Sequence, residues 1–174
     1  MAIQGQVAGV QRPLWVVVLA LTVGALLVAG LLGFLRYEVG ALFPLAALLT
    51  GAAGGLFGWL LMETFGLQAT WRAAFVGAVF AALIFAGQYI ADYWLIARTL
   101  DVAPTFGAYM DAVTGGEAEF GRLGRSSIIT LSGVPVTLLW VLDAVLSVGI
   151  GGFIGRQMQI EIEASGDQPA GVDD

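Results

Sequence analysis

Long apolar runs separated by short polar stretches dominate the chain. Four of these runs are close to the length of about 20 residues that a helix needs to cross a bilayer. Because every backbone N–H in hydrocarbon must be paired within its own segment, we expect each run to be a helix. The predicted spans are residues 13–35, 41–62, 73–97 and 131–155. The pattern therefore predicts an all-α, polytopic membrane protein with four transmembrane helices.

The connections between the runs are unequal in length. The first two, RYEVG and ETFGLQATWR, are tight and predict antiparallel neighbouring helices. The third is long, and it contains apolar residues spaced i, i+3, i+4 and i+7, which is the spacing of one helix face. These residues are Phe106, Tyr109, Met110 and Val113. We predict a short interfacial helix over residues 104–114 that lies on the bilayer or caps the bundle, with a flexible loop as the alternative.

The two ends of the chain are polar. Residues 1–12 form an N-terminal segment, and residues 156–174 form an acidic tail that we expect to be disordered, most clearly from about Ser165. Four spans place both termini on one side of the membrane. The seven arginines divide three against four between the two sides, so the positive-inside rule favours neither orientation strongly. We expect the termini in the cytoplasm of a bacterial cell, at its inner membrane.

Composition narrows the chemistry that such a protein performs. The chain is 59% hydrophobic and 11% charged, with a mean hydropathy of +0.89, and it contains no His, Cys or Lys. These absences exclude His-ligated haem, zinc or copper sites, thiol redox chemistry and Ser–His or Ser–Lys nucleophiles. Asp92 and Asp143 lie at different predicted depths, which fits poorly with an aspartyl-protease pair. We expect no metal, no cofactor and no enzymatic activity.

Small residues four positions apart recur along the predicted spans. In lipid, such residues let helix backbones approach closely, and this packing takes the place of the hydrophobic force. A narrow pore lined by glycine is the alternative interpretation. The predicted packing positions are Gly51, Gly54, Gly55, Gly58, Gly77, Gly151 and Gly155, either within one chain or between copies.

Few polar residues interrupt the apolar runs. Asp143 is twelve residues from each end of the fourth run, and Gln88 on the third helix is predicted to lie within about 4–5 Å of the same depth. We expect Asp143 either to donate a hydrogen bond to Gln88 as a neutral acid or to titrate, with Gln88 and Ser147 assisting. Asp92 shares a helix face with Gln88, and its expected partner is Arg98 at the interface or, alternatively, Thr137 or Ser132 on the fourth helix.

The order of these features resembles a group of small, uncharacterised bacterial inner-membrane proteins with four predicted spans. The resemblance rests on RYEVGALFPLAALLTGAAGGLFGWLL, on QYIADYWL at the end of the third run, and on GRLGRSSIITLSGVPVTLLWVLDAVLSVG. It covers roughly residues 14–155 and includes Trp140 and Asp143. The resemblance implies the topology and the choice of Asp143, and it implies no activity.

Two functions are consistent with the sequence. The first is a non-catalytic scaffold or accessory subunit that associates through its Gly- and Ala-rich helix faces, as a homo-oligomer or within a larger membrane complex. The second is a small channel or carrier for protons or cations that uses Asp143. The net charge of −6 is concentrated near the C-terminus and disfavours nucleic acid as a partner, so the lipid bilayer is the expected environment.

Overall fold

The computed structural model describes residues 13–40, 43–66, 69–100, 103–120 and 129–166. Within them are five helices and two strands: α1 (Leu14–Val39), α2 (Leu45–Thr64), α3 (Thr70–Thr99), α4 (Phe106–Gly115), β1 (Glu117–Phe120), β2 (Ile129–Ser132) and α5 (Val134–Gly166). Four of the helices, α1, α2, α3 and α5, are long and apolar enough to span a membrane. The predicted all-α membrane fold with four spans is confirmed, and α4 is the predicted short helix.

A two-stranded hairpin between α4 and α5 was not predicted from the sequence. Strands β1 and β2 pair antiparallel, with Glu117 opposite Ser132 and Phe120 opposite Ile129. The two segments are only four residues long, which is too short for an alternating pattern to stand out. The hairpin occupies positions that the prediction assigned to the long third connection and to the start of the fourth span.

The fourth span consequently begins later than predicted, at Val134 instead of residue 131. Gly133 joins β2 to α5 with a φ of 68°, a backbone conformation that favours glycine. Pro135 follows in the first turn of α5, where its missing N–H breaks no helical hydrogen bond. The proline therefore lies where a helix starts and does not interrupt α5.

The same helix also ends later than predicted. We expected residues 156–174 to form a disordered tail, but α5 continues to Gly166. The sequence RQMQIEIEA after the span consists mostly of good helix formers, and a helix that is already nucleated extends through them at little cost. The remaining residues of that tail, 167–174, and the N-terminal segment of residues 1–12 lie outside the described part of the chain.

Helix α3 is the centre of the bundle. It packs against α1, α2 and α5, while α2 also packs closely against α5. Large apolar side chains point outward from these helices, among them Leu27, Phe75, Val145 and Phe153, each at least 60% exposed. Polar side chains such as Gln88 lie inside. An apolar exterior around a partly polar interior is the arrangement that lipid requires.

Glycines bring α2, α3 and α5 into contact at the level of the backbone. A methyl group on Gly54 would overlap the backbone of Ala81, and one on Gly58 would overlap the backbone of Gly77. Gly77 in turn lies against the carbonyl of Gly151. The remaining predicted packing glycines are also buried at these contacts. Gly51 and Gly55 lie against α5, and Gly155 lies against α3 and α2. These faces are therefore occupied within the chain.

Helix α4 lies against one end of the bundle. Thr105 caps its first turn, because the side chain of Thr105 accepts a hydrogen bond of 3.2 Å from the N–H of Ala108. Tyr109 is buried, and Met110 and Val113 pack beside it against residues of α3 and α5. The predicted apolar face thus docks on the bundle, so of the two predicted positions the helix takes the one that caps it.

Candidate polar site inside the bundle

The helix register places Asp143 in the middle of the α2–α3–α5 interface. Helices α3 and α5 run antiparallel with Gly77 against Gly151, so Asp143 is level with Phe85, each eight residues from that contact. The ring of Phe85 lies 5.7 Å from that of Trp140, one turn away, which agrees with this register. Asp143 is 4% exposed. The sequence-predicted acid is therefore an interior residue of the bundle.

Other polar side chains lie within about one helical turn of Asp143. Thr50 on α2 lies near the level of Ser147 on α5, because its neighbour Gly51 lies against Ile150 and the carbonyl of Ser147. Ser147 is one turn from Asp143 along α5, and Gln88 is three residues, or roughly 4–5 Å, from the level of Phe85. Thr50, Gln88 and Ser147 are each at most 1% exposed. Three helices thus contribute polar groups to one buried layer.

The predicted hydrogen bond between Asp143 and Gln88 is not formed. In the described part of the chain, neither Asp143 Oδ1 nor Gln88 Nε2 has a hydrogen-bond partner. The depth estimate for the two residues was sound, but it did not include the direction of each side chain around its helix. The residues are neighbours in the same layer without being bonded to each other.

Unpartnered polar atoms are a property of the whole layer. Most buried polar atoms in proteins are hydrogen-bonded, to protein groups or to ordered water, and an isolated one costs free energy. Within the described residues, five atoms of this layer have no partner: Thr50 Oγ1, Gln88 Nε2, Trp140 Nε1, Asp143 Oδ1 and Ser147 Oγ. Together these groups offer a carboxylate and two hydroxyls to a bound proton or small cation, and N–H donors to a bound water. Hereafter they are called the polar layer.

Asp92 belongs to a second polar cluster, at the end of the bundle that α4 covers. Its Oδ2 accepts a hydrogen bond of 2.7 Å from the hydroxyl of Tyr109 on α4. The same oxygen lies 3.4 Å from Arg36 Nε on α1. Arg36 Nη1 also donates to the hydroxyl of Tyr89, 3.2 Å away, and its guanidinium lies 4.4 Å from the centre of that ring. Three helices are joined through one carboxylate.

The partners expected for Asp92 were wrong. Arg98 instead stacks on Trp94, with its guanidinium 3.4 Å from the ring centre. Thr137 donates a hydrogen bond of 2.5 Å to the carbonyl of Thr114 on α4. Ser132 is the last residue of strand β2. The parallel neighbour α1 supplies the partner, because Arg36 near its end has a side chain long enough to reach back to Asp92.

An aromatic cluster separates Asp92 from the polar layer. Tyr89 packs against Phe85 at 5.1 Å and against Trp140 at 6.1 Å between ring centres. Tyr93 packs against Tyr109 at 5.5 Å and donates a hydrogen bond of 3.0 Å to the carbonyl of Pro104. These rings fill the space between α4 and the level of Asp143.

The two carboxylates are not brought together. Asp92 is seven residues beyond the level of Asp143 on α3, which corresponds to roughly 10 Å along the helix. That separation does not allow them to share one proton through a direct hydrogen bond, as an aspartyl-protease pair does. Among the described residues there is also no group of three acidic, His or Cys side chains that would hold a metal ion.

Sequence reasoning missed Arg36, Tyr109 and Thr50 as members of these clusters. Arg36 was counted only as a charge near a loop, and Tyr109 only as part of an apolar face. A signal was nevertheless present for Thr50, since it is the single hydroxyl within the apolar run of α2. Trp140 also stood out, because it is a tryptophan far from the ends of its run, and its buried N–H now belongs to the polar layer.

No protein family, curated protein or solved structure matches the chain. The resemblance to small bacterial inner-membrane proteins therefore stays an expectation. The part of it that the structure supports is a multi-pass membrane protein with four apolar, membrane-length helices.

Proposed function

We propose that this non-catalytic membrane protein carries protons or small monovalent cations through the bundle, with Asp143 as the binding group. The observation that carries the proposal is the polar layer, in which five buried polar atoms from α2, α3 and α5 have no partner among the described residues. Ionisable residues that face the interior of a membrane bundle are characteristic of ion and proton pathways. A binding site of this kind also requires polar groups that do not already form hydrogen bonds with other groups of the protein.

The test is flux into proteoliposomes that contain a pH-sensitive dye for protons or a sodium-sensitive dye for sodium ions. We expect wild-type protein to conduct protons, or sodium ions under a sodium gradient, and Asp143→Asn to abolish the flux while leaving the fold intact. Asp111→Asn is the matched control, because Asp111 is exposed on α4 and the chemical change is the same. Wild-type vesicles that conduct no better than empty ones at any pH would end this proposal.

A second candidate is the scaffold or accessory subunit, for which a different surface is now favoured. The glycine faces of α2, α3 and α5 are occupied within the chain, so they are not free for a partner. An apolar groove of about 320 Å³ remains open on the outside, between α1 and α3. Small residues line its floor, among them Gly30, where an added methyl group would meet no atom within 4 Å.

Filling this groove tests association. If copies of the chain or a partner subunit dock there, Gly30→Leu should release the monomer, as measured by light scattering or crosslinking in mild detergent. Gly149→Leu on α5 is the control, since Gly149 also faces open space. An unchanged mass in both variants would leave the groove as a lipid-facing surface.

We further propose that the protein lies in the inner membrane of bacteria, with both termini on the cytoplasmic side.

A further inference from the structure

Charged side chains divide sharply between the surface and the interior of this bundle. Ten charged residues have described side chains, and seven of them are exposed. The exposed seven are Glu38, Glu63, Arg72, Arg98, Asp111, Arg156 and Glu161. The other three are Arg36, Asp92 and Asp143. The described interior therefore contains two carboxyl groups and one guanidinium.

Arg36 is the one cation that the described interior offers to the two carboxyl groups. It forms the ion pair with Asp92 at 3.4 Å, where its side chain is 16% exposed and that of Asp92 is 6% exposed. Asp143 forms no ion pair in the described part of the chain. Tyr89 connects Arg36 to the level of Asp143, because it accepts the hydrogen bond from Arg36 and packs against Phe85 and Trp140, which lie within one helical turn of that level.

We infer that Arg36 is the common counter-ion of Asp92 and Asp143, so that the interior holds one exchangeable proton, which resides on Asp143. This inference rests on the proposed function and names the ligand of the same site. An arginine stays protonated in proteins, so two ionised carboxylates would leave a net negative charge inside the membrane. One bound proton makes the interior neutral, and a second would make it positive; a net charge of either sign is costly in hydrocarbon.

The contacts decide which carboxyl group is protonated. Asp92 has the direct charge of Arg36 and a hydrogen bond donated by Tyr109, and both interactions stabilise an ionised acid. Asp143 Oδ1 has neither, and it is surrounded by apolar and unpartnered groups. Helix α2 contributes no titratable side chain to the described interior around Asp143. The titratable and charged side chains that the other helices contribute are Asp92, Tyr89 and Tyr93 on α3, Tyr109 on α4 and Arg36 on α1.

Infrared difference spectroscopy of the full-length protein in lipid tests the inference, because a protonated carboxylic acid has its own carbonyl band. With ¹³C-labelled aspartate, we expect one such band at neutral pH in the wild type and none in Asp143→Asn. Asp92→Asn should also lose the band, because the released Arg36 then neutralises Asp143. Arg36→Gln should roughly double it, since both acids become neutral. The exposed-site control Asp111→Asn should leave it unchanged.

Two results would overturn the shared counter-ion: no band in the wild type, or a band that persists in Asp92→Asn. Asp92→Asn decides the matter even if Arg36→Gln fails to fold. Flux measured in the same vesicles separates this inference from the proposed function. The expected bands without any flux would refute the carrier and support the counter-ion, whereas flux together with a persistent band in Asp92→Asn would support the carrier and refute the counter-ion.

Discussion

Tyr109 and Asp92 join the short helix α4 to the membrane helix α3 through a buried hydrogen bond of 2.7 Å. This bond is the polar centre of an otherwise aromatic contact, in which Tyr109 packs between Tyr93 and Phe106. Two further bonds hold the ends of the segment, from Tyr93 to the carbonyl of Pro104 and from Thr137 to that of Thr114. The position of α4 is thus set by contacts with α3 and α5.

Removing the Tyr109 hydroxyl should loosen α4. Because hydrogen bonds to a charged group contribute about 1.5–3 kcal/mol, Tyr109→Phe should weaken docking of α4 by that order. The chain contains no Cys, so Ala112→Cys provides a single, exposed position on α4 for a spin label. We expect greater label mobility in Tyr109→Phe and no change in the control Tyr37→Phe. Equal mobility in all variants would show that the bond does not hold α4.

Docking of α4 should also weaken at alkaline pH. Burial, followed by the charge of Asp92 and the bond to it, raises the pKa of Tyr109 above its ordinary value of 10.0. A raised pKa means that the folded state favours the protonated phenol, so this stabilisation is complete below about pH 10 and is lost progressively as the pH rises further. The mobility of the Ala112→Cys label should therefore increase above that pH. The increase should be absent in Tyr109→Phe, which has no phenol to ionise, and its persistence there would assign the effect to another group.

The close contact between α2 and α3 should not accept even a methyl group. Gly54→Ala places a Cβ on the backbone of Ala81, and overpacking of this kind costs typically 1–3 kcal/mol. Gly149→Ala faces open space on the outside of α5, where alanine is favoured over glycine by about 1 kcal/mol in a helix. Thermal unfolding in one detergent should therefore show a lower midpoint for Gly54→Ala and an equal or higher one for Gly149→Ala. The packing interpretation is wrong if the two variants behave alike.

Thr50 reports whether the polar layer is hydrated. In a dry layer, replacing its unpartnered hydroxyl by the methyl group of valine should be neutral or stabilising. We expect the layer to hold water or a bound ion, so Thr50→Val should lower stability by about 1–2 kcal/mol and reduce proton flux. Thr64→Val is the control, because Thr64 is exposed and bonds to the carbonyl of Leu60 in its own helix. A more stable Thr50→Val protein would show that the layer is dry.

Properties that depend on one segment at a time could be predicted from the sequence. The four spans, the short helix and its apolar face follow from length and periodicity, and the depth of Gln88 relative to Asp143 follows from the rise per residue. The β1–β2 hairpin between α4 and α5 and the extension of α5 to Gly166 were not predicted. There the local pattern was short or polar, and periodicity carries little information in such stretches.

Properties that depend on how helices are rotated about their axes could not be predicted. Gln88 and Asp143 have similar depths, yet no hydrogen bond joins them. Asp92 pairs with Arg36 of α1, a helix that is separated from α3 in sequence by the whole of α2. Small-residue spacing predicted close packing, but not that the partner faces belong to the same chain. A single sequence gives the face of each helix and leaves the choice of neighbour open.

The glycine contacts among α2, α3 and α5 also determine which parts of this protein are able to move. Interfaces made of long side chains slide by exchanging rotamers, whereas a glycine backbone pressed against another backbone has no rotamers to exchange. These three helices consequently form a rigid body around Asp143. Helix α1 is held in the same way, because a methyl group on Gly33 would overlap the backbone carbonyl of Gln88 on α3. In the described part of the chain, no glycine of α4 lies against the bundle, so this helix, attached by the Tyr109 bond and its aromatic neighbours, is the element that we expect to move most freely.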